Sequence, residues 1–268
     1  MAAWYLLVVA ALQGLTEFLP VSSSGHLILL PRLTGLPDQG PAIDVAVHVG
    51  TLTAVIVYFW ADVRLALSGV PRLLRGKVDT QGAWLALLLI VATVPVVIVG
   101  AVLALTGWID ALRSILVVGW ATLIFGIVLW WADRTGAQDR PARRWSIRHA
   151  AIMGMWQALA LIPGTSRSGI TITAARLLGY ARPDAARLAM LMSIPTIAAS
   201  GVLTGAGVAL SGDAGVLRDW GLAVGFAFFA GLAGLWILMR FARTISFTPY
   251  VIYRLGLGAA LLWIGYSA

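Results

Sequence analysis

The 268-residue chain is 60% hydrophobic and only 11% charged, with a mean hydropathy of +0.91 and a net charge of +8. These values exclude an ordinary soluble domain, and the long apolar runs do not alternate with polar residues, so they indicate an all-α integral membrane protein and not a barrel. There is no cysteine, hence no disulfide frame, and the basic residues fall in short loops, where they read as topology signals and headgroup contacts and not as a nucleic-acid surface.

In chain order, the N-terminus has no Lys or Arg before its first apolar run and no small-x-small site, so no cleaved signal peptide is expected. The segment 3–30 is apolar but interrupted: it holds Gln13, Glu17 (the only glutamate), Pro20, Ser22, Ser23, Ser24, Gly25 and His26. Three segments of full membrane-spanning length follow, 43–61, 84–106 and 113–132. A second interrupted segment, 148–179, carries Gln157 and the run Pro163-Gly164-Thr165-Ser166-Arg167-Ser168-Gly169. Three more full-length segments close the chain, at 188–210, 220–239 and 249–266. Proline removes a helix hydrogen bond and clashes with the preceding turn. Broken backbone at membrane depth is tolerated only where it lines protein or water.

The two interrupted segments resemble each other. Pro20 aligns with Pro163, Ser22 with Thr165 and Ser23 with Ser166 at an offset of 143; after one inserted residue Gly25 aligns with Gly169. This is an internal repeat, about 1–135 and 147–268, within one membrane domain covering 1–268. If both broken segments are re-entrant hairpins, three spans per half invert the second half relative to the first. Charge supports this: the re-entrant arrangement puts fourteen basic residues on one side and three (Arg32, Arg113, Arg218) on the other, whereas two crossing segments would give ten against seven. The basic side is expected to be cytoplasmic, both termini outside, and the hairpin tips to meet near the midplane.

Ionisable groups at membrane depth cost roughly 2.5–3.5 kcal/mol each, so Glu17, His26 and Arg167 there point to function. Gln13 and Glu17 are four apart and share a helix face. Gly164 to Gly169 supplies turn N–H groups, the hydroxyls of Thr165, Ser166 and Ser168, and Arg167, a combination suited to phosphate or carboxylate. Of the rest, His48 is expected to be an interfacial or packing histidine and not a site member, His149 to be solvated, and Arg254 to snorkel. Trp4, Trp60, Trp84, Trp108, Trp130, Trp131 and Trp145 read as interfacial anchors. No P-loop, dinucleotide fingerprint or His-x-x-x-His pattern is present.

The stretches 13–26 and 163–169 resemble the motifs of the undecaprenyl-diphosphate phosphatase family of the bacitracin-resistance type, and the resemblance covers the whole chain. It implies hydrolysis of undecaprenyl diphosphate to the monophosphate at the outer side of the bacterial cytoplasmic membrane, recycling the carrier for cell-wall synthesis. It further implies that Gln13 takes the family's Glu-or-Gln position and Glu17 its second glutamate, and that Ser23, His26 and Arg167 are its serine, histidine and arginine. A divalent cation, Mg²⁺ or Ca²⁺, is implied as a helper. With Gln13 in place of a second carboxylate, the cation is expected to be held largely by diphosphate oxygens, with Glu17 reaching it through water.

On this reading Ser23 attacks the terminal phosphorus with His26 as general base, Glu17 orients His26 or a metal, and Arg167 with the 164–169 amides neutralises the leaving phosphate. Direct attack by water is the alternative. Ser22, Ser24, Gly164, Thr165, Ser166, Ser168, Gly169 and Gln13 are the expected substrate contacts, and a homodimer is compatible with the sequence. The rival from another class is a flippase for the polyprenyl phosphate, since broken helices in inverted repeats are also a carrier architecture. A carrier has no need of a Ser–His pair.

Overall fold

The computed structural model describes residues 3–35, 39–108, 112, 114–205 and 214–267. The described residues form helices and no strand beyond one isolated bridge between Arg140 and Tyr180. Helix α1 (Ala3–Phe18) and α2 (Ser23–Thr34) make up the first broken segment. They are followed by α3 (Gly40–Tyr58), α4 (Trp60–Leu73), α5 (Gln81–Thr106) and α6 (Ile115–Thr135). The second broken segment consists of α7 (Ile147–Ala158), a 3₁₀ turn at Leu159–Leu161 and α8 (Arg167–Leu177). Helices α9 (Arg182–Gly205), α10 (Ala214–Phe241) and α11 (Thr248–Ser267) complete the chain.

The helix boundaries have local causes. Thr80, Ser114 and Ser146 cap α5, α6 and α7, each accepting from the backbone N–H three residues on. Gly35 and Gly107 end α2 and α5 in the left-handed conformation that a side chain disfavours. Three described segments are long and apolar enough to cross a membrane: Gln81–Thr106, Ile115–Thr135 and Leu217–Phe241. The bent pair α3 and α4 makes a fourth. The stretch between the expected spans 43–61 and 84–106 is not all loop: the chain turns by 90° at Phe59 into α4. That helix mixes Asp62, Arg64 and Arg72 with Leu65, Leu67 and Val70, which suits an interface better than a loop or a span. Segment 188–210 begins earlier, at Arg182, and its last residues lie outside the described set. Ala185, Ala186 and Leu188 through Met192 contribute to the main core, and the charges at its start are paired, Arg182 with Asp133 and Arg187 with Asp62.

Packing joins the two halves crosswise. Helix α1 lies along α10, and α7 lies along α5, so each broken segment rests on a helix of the opposite half. Small residues permit the close approach. A Cβ on Gly14 would come within 2.5 Å of Ala230 Cβ, and one on Gly154 within 2.6 Å of the Ala92 carbonyl oxygen. Helices α6 and α11 pack together, with Gly119 and Gly258 in their seam.

Candidate active site

Each broken segment turns through a serine in the left-handed region, Ser22 (φ 74°) and Ser166 (φ 69°), the only non-glycine residues with positive φ among those described. Both begin the second helix of their segment. Ser22 Oγ lies 3.1 Å from Ser24 Oγ, and Ser166 Oγ 3.2 Å from Ser168 Oγ. The turn geometry therefore matches Ser22 with Ser166, whereas the alignment anchored on the prolines paired Ser23 with Ser166 and Ser22 with Thr165. The extra residue comes before the serine. It is accommodated at Gly164 (φ +94°), where a Cβ would sit 2.3 Å from the Val118 carbonyl oxygen. The position equivalent to Ser23 is thus Arg167.

Ser23 and Arg167, the first residues of α2 and α8, meet on one carboxylate. Ser23 Oγ donates to Glu17 Oε2 (3.1 Å) and Arg167 Nη2 to Glu17 Oε1 (3.0 Å). Gln13 Nε2 adds a third donor to Oε2 (3.0 Å). The Glu17 and Arg167 side chains are 10% and 11% exposed, so removing one partner would strand a largely buried charge at a cost of about 3–5 kcal/mol. The tips are also tied directly: the Gly164 N–H donates to Ser24 Oγ (3.1 Å), and Ser168 Oγ to the Leu19 carbonyl (3.0 Å).

A cavity of about 320 Å³ opens over this centre, lined among others by Glu17, Ser22, Ser23, Ser24, Gly164, Ser166 and Arg167. Of the expected contacts, Gln13, His26, Thr165, Ser168 and Gly169 are not in its wall. Gln13, Thr165 and Ser168 are fully buried behind it. His26 departs from expectation most. Its Nδ1 donates to the Ser22 carbonyl (2.7 Å), so its Nε2 lone pair accepts from Tyr253 OH (2.6 Å), and the two rings stack. The basic nitrogen is taken, and Ser23 is hydrogen-bonded to Glu17 instead.

Three other residues were placed wrongly by sequence reasoning. His48 lines the cavity. Its Nδ1 donates to the Asp44 carbonyl (2.6 Å) and its Nε2 accepts from Gln13 Nε2 (3.1 Å). Its position one helix turn inside an apolar span concealed this. His149 is not simply solvated, since it pairs with Tyr180 OH (2.8 Å) and Arg140. Arg254 does not snorkel: it is fully buried beneath the second tip. It donates from Nη2 to the carbonyls of Gly164 (3.1 Å) and Thr165 (3.0 Å), and from Nε to that of Thr122 (3.1 Å). By drawing the tip carbonyls inward it fixes the Gly164–Thr165 and Thr165–Ser166 peptides just ahead of α8. Its place near the start of an apolar helix was an available signal, misread because snorkelling is the commoner outcome there.

The donor set does not fit a resident divalent cation. Glu17 is the one carboxylate in the cavity wall and is already engaged by three donors. Among the described residues no three His, Asp or Glu side chains converge. What the arrangement can do is bind a compact anion beside Arg167 and hand a serine proton to a carboxylate.

Fold and site together define a helical membrane protein with a polar cavity, lined by a carboxylate, serines and an arginine, between two broken helical segments. The chain belongs to the family described as bacitracin resistance protein BacA, which it matches over residues 6–260. It is 64% identical over 267 residues to the undecaprenyl-diphosphatase of Ruegeria pomeroyi, covering 100% of both chains. It is 47% identical to that of Maricaulis maris, with 98% of each chain covered, and 45% identical to that of Hahella chejuensis, with 97% of each covered.

Proposed function

We infer that this protein is an integral-membrane undecaprenyl-diphosphate phosphatase, an enzyme that hydrolyses the diphosphate to undecaprenyl phosphate and inorganic phosphate. The observation that carries the mechanism is the convergence of Ser23 and Arg167 on Glu17 at the cavity floor. An incoming diphosphate competes with Glu17 for the Arg167 guanidinium, whose fork suits two phosphate oxygens. Glu17, released from that ion pair, accepts the Ser23 proton as Ser23 Oγ attacks the terminal phosphorus. The P–O anhydride bond breaks and the lipid monophosphate leaves with the proton that Glu17 accepted; water then attacks the phosphoryl group on Ser23, giving its proton to Glu17, which returns it to Ser23 Oγ as inorganic phosphate departs. Arg167 and the free N–H groups at the start of α8 stabilise charge on the transferring group. His26, held by Tyr253, shapes the Ser22 turn and is a positioning residue in this reading.

No step is routed through a protein-bound metal. Mg²⁺ or Ca²⁺ belongs with the substrate, as counter-ion to the diphosphate oxygens. The architecture we propose is six spans with two re-entrant hairpins, α1–α2 and α7–α8, in an inverted repeat; the crosswise packing of each hairpin on the other half and the matched serine turns support it. With the basic loops cytoplasmic, the cavity faces outward. A cysteine in 136–142 should then resist impermeant thiol reagents in intact cells, and its labelling would reverse the topology. For the function, purified protein in detergent should release inorganic phosphate from a C15 or C55 polyprenyl diphosphate. Absence of release, with translocation of the lipid monophosphate in proteoliposomes, would identify a carrier instead.

A further inference from the structure

A second cavity, of about 300 Å³, lies away from the site among α4, α5, α9 and the segment 142–145. Its wall is graded. One end holds Asp62, Gln81, Arg143 and Arg187, and the other Leu85, Leu88, Leu188 and Leu191. Gln81 opens α5 and Trp84 lies in its first turn, so the polar end sits where an apolar spanning helix begins and the apolar end follows that helix inward. Leu65 (38% exposed) and Trp84 (40% exposed) leave the rim open to surrounding lipid.

The polar groups there have unused capacity. Asp62 engages Arg187 through Nε (3.2 Å) and Nη2 (2.5 Å) and so neutralises it in part, leaving Nη1 uncommitted to that pair. Arg143 is exposed and makes no ion pair or hydrogen bond from its side chain among the described residues. Trp145, read from sequence as an interfacial anchor, is instead 4% exposed and forms part of the wall. Its indole Nε1 is buried without an acceptor, and a buried donor without a partner is unfavourable. An uncompensated cation, an unpaired N–H donor and a leucine-lined extension ask for a ligand with anionic oxygens attached to hydrocarbon.

We propose that this cavity binds an anionic phospholipid, its phosphate between Arg143 and Trp145 and its first acyl carbons along Leu88 and Leu191. The size admits a headgroup and the start of a chain, not a whole lipid, and the open rim lets the rest remain in the bilayer. The site shares α9 with the catalytic cavity, whose wall includes Thr196 and Ile197 of that helix, so the lipid would brace an element that both cavities use.

The test uses the full chain in neutral detergent. Phosphatidylglycerol, phosphatidylcholine of the same acyl chains, or inorganic phosphate is added, and bound lipid is read by native mass spectrometry and stability by thermal unfolding. Phosphatidylglycerol should be retained and should raise Tm by roughly 2–4 °C more than phosphatidylcholine at saturation. Arg143→Glu and Trp145→Phe should lose at least half of that difference, each compared with its own lipid-free baseline. Arg75→Glu, an exposed charge outside this wall, should keep it. Equal effects of the two lipids, full retention in Arg143→Glu, or equal loss in Arg75→Glu would overturn the proposal. So would an identical shift from inorganic phosphate alone, which would make the site one for a free anion.

Discussion

The two broken segments share a turn and differ in what the turn presents. Both pass through a left-handed serine whose hydroxyl meets a second serine two residues on. At the next position, however, the first offers Ser23 and the second Arg167. Six residues earlier, the first carries Glu17 in the wall, while the second presents Leu161 in its 3₁₀ turn. Each segment buries a glutamine, but Gln13 donates to Glu17 and His48, whereas Gln157 donates to the Ala92 carbonyl (3.3 Å) and Thr196 (3.0 Å). The same backbone device thus presents a hydroxyl beside a carboxylate on one side and a guanidinium on the other. Neither half is sufficient, because the carboxylate that orients Ser23 is itself held by the arginine of the other half.

That division predicts unequal losses. Ser23→Ala and Glu17→Ala should each lower turnover by roughly 10³-fold or more, and the double variant should be little worse than either, since groups acting as a unit are not additive. Ser166→Ala, at the matching turn, should retain most of its kcat and raise KM. A dead Ser166→Ala beside an active Ser23→Ala would assign the nucleophile to the wrong segment. Folding is checked for each by gel filtration and thermal unfolding, because Glu17→Ala also strands Arg167.

Arg167→Lys should lower kcat/KM by at least about 10-fold, or ~1.4 kcal/mol, since a point charge replaces the fork. Near-wild-type kinetics would show that charge alone suffices. A smaller effect on chemistry is expected at Arg254. Arg254→Lys should cost several-fold in activity together with a fall in Tm, because one ammonium cannot reach the carbonyls of Thr122, Gly164 and Thr165 at once. An unchanged Tm would show that the tip does not depend on it. The smallest change should come from Tyr253→Phe, which frees His26 Nε2 while keeping the stacked ring. A few-fold loss at most, without a shift in the pH profile, fits a positioning role. If His26→Ala instead matches Ser23→Ala in severity, the histidine is the base and Glu17 its support.

The sequence alone determined the class of the molecule and the residue types gathered at its candidate site: continuous apolar runs require helices in lipid, and a glutamate, serines and an arginine beside prolines at that depth are costly enough to mark a site. It also exposed the repeated segments, because proline and glycine mark broken helices in any context. Only the tertiary structure decided who meets whom. Pairing is a property of three-dimensional register, and a single residue inserted before Ser166 moves Arg167, not Ser166, opposite Ser23. That the Nε2 of His26 is taken depends on Tyr253, 227 positions away. Likewise His48 and Arg254 looked like peripheral residues in the sequence because their partners, Gln13 and the Gly164–Thr165 carbonyls, come from other helices. A buried polar group takes its role from the partner that satisfies it, and that partner is fixed by packing and not by spacing along the chain.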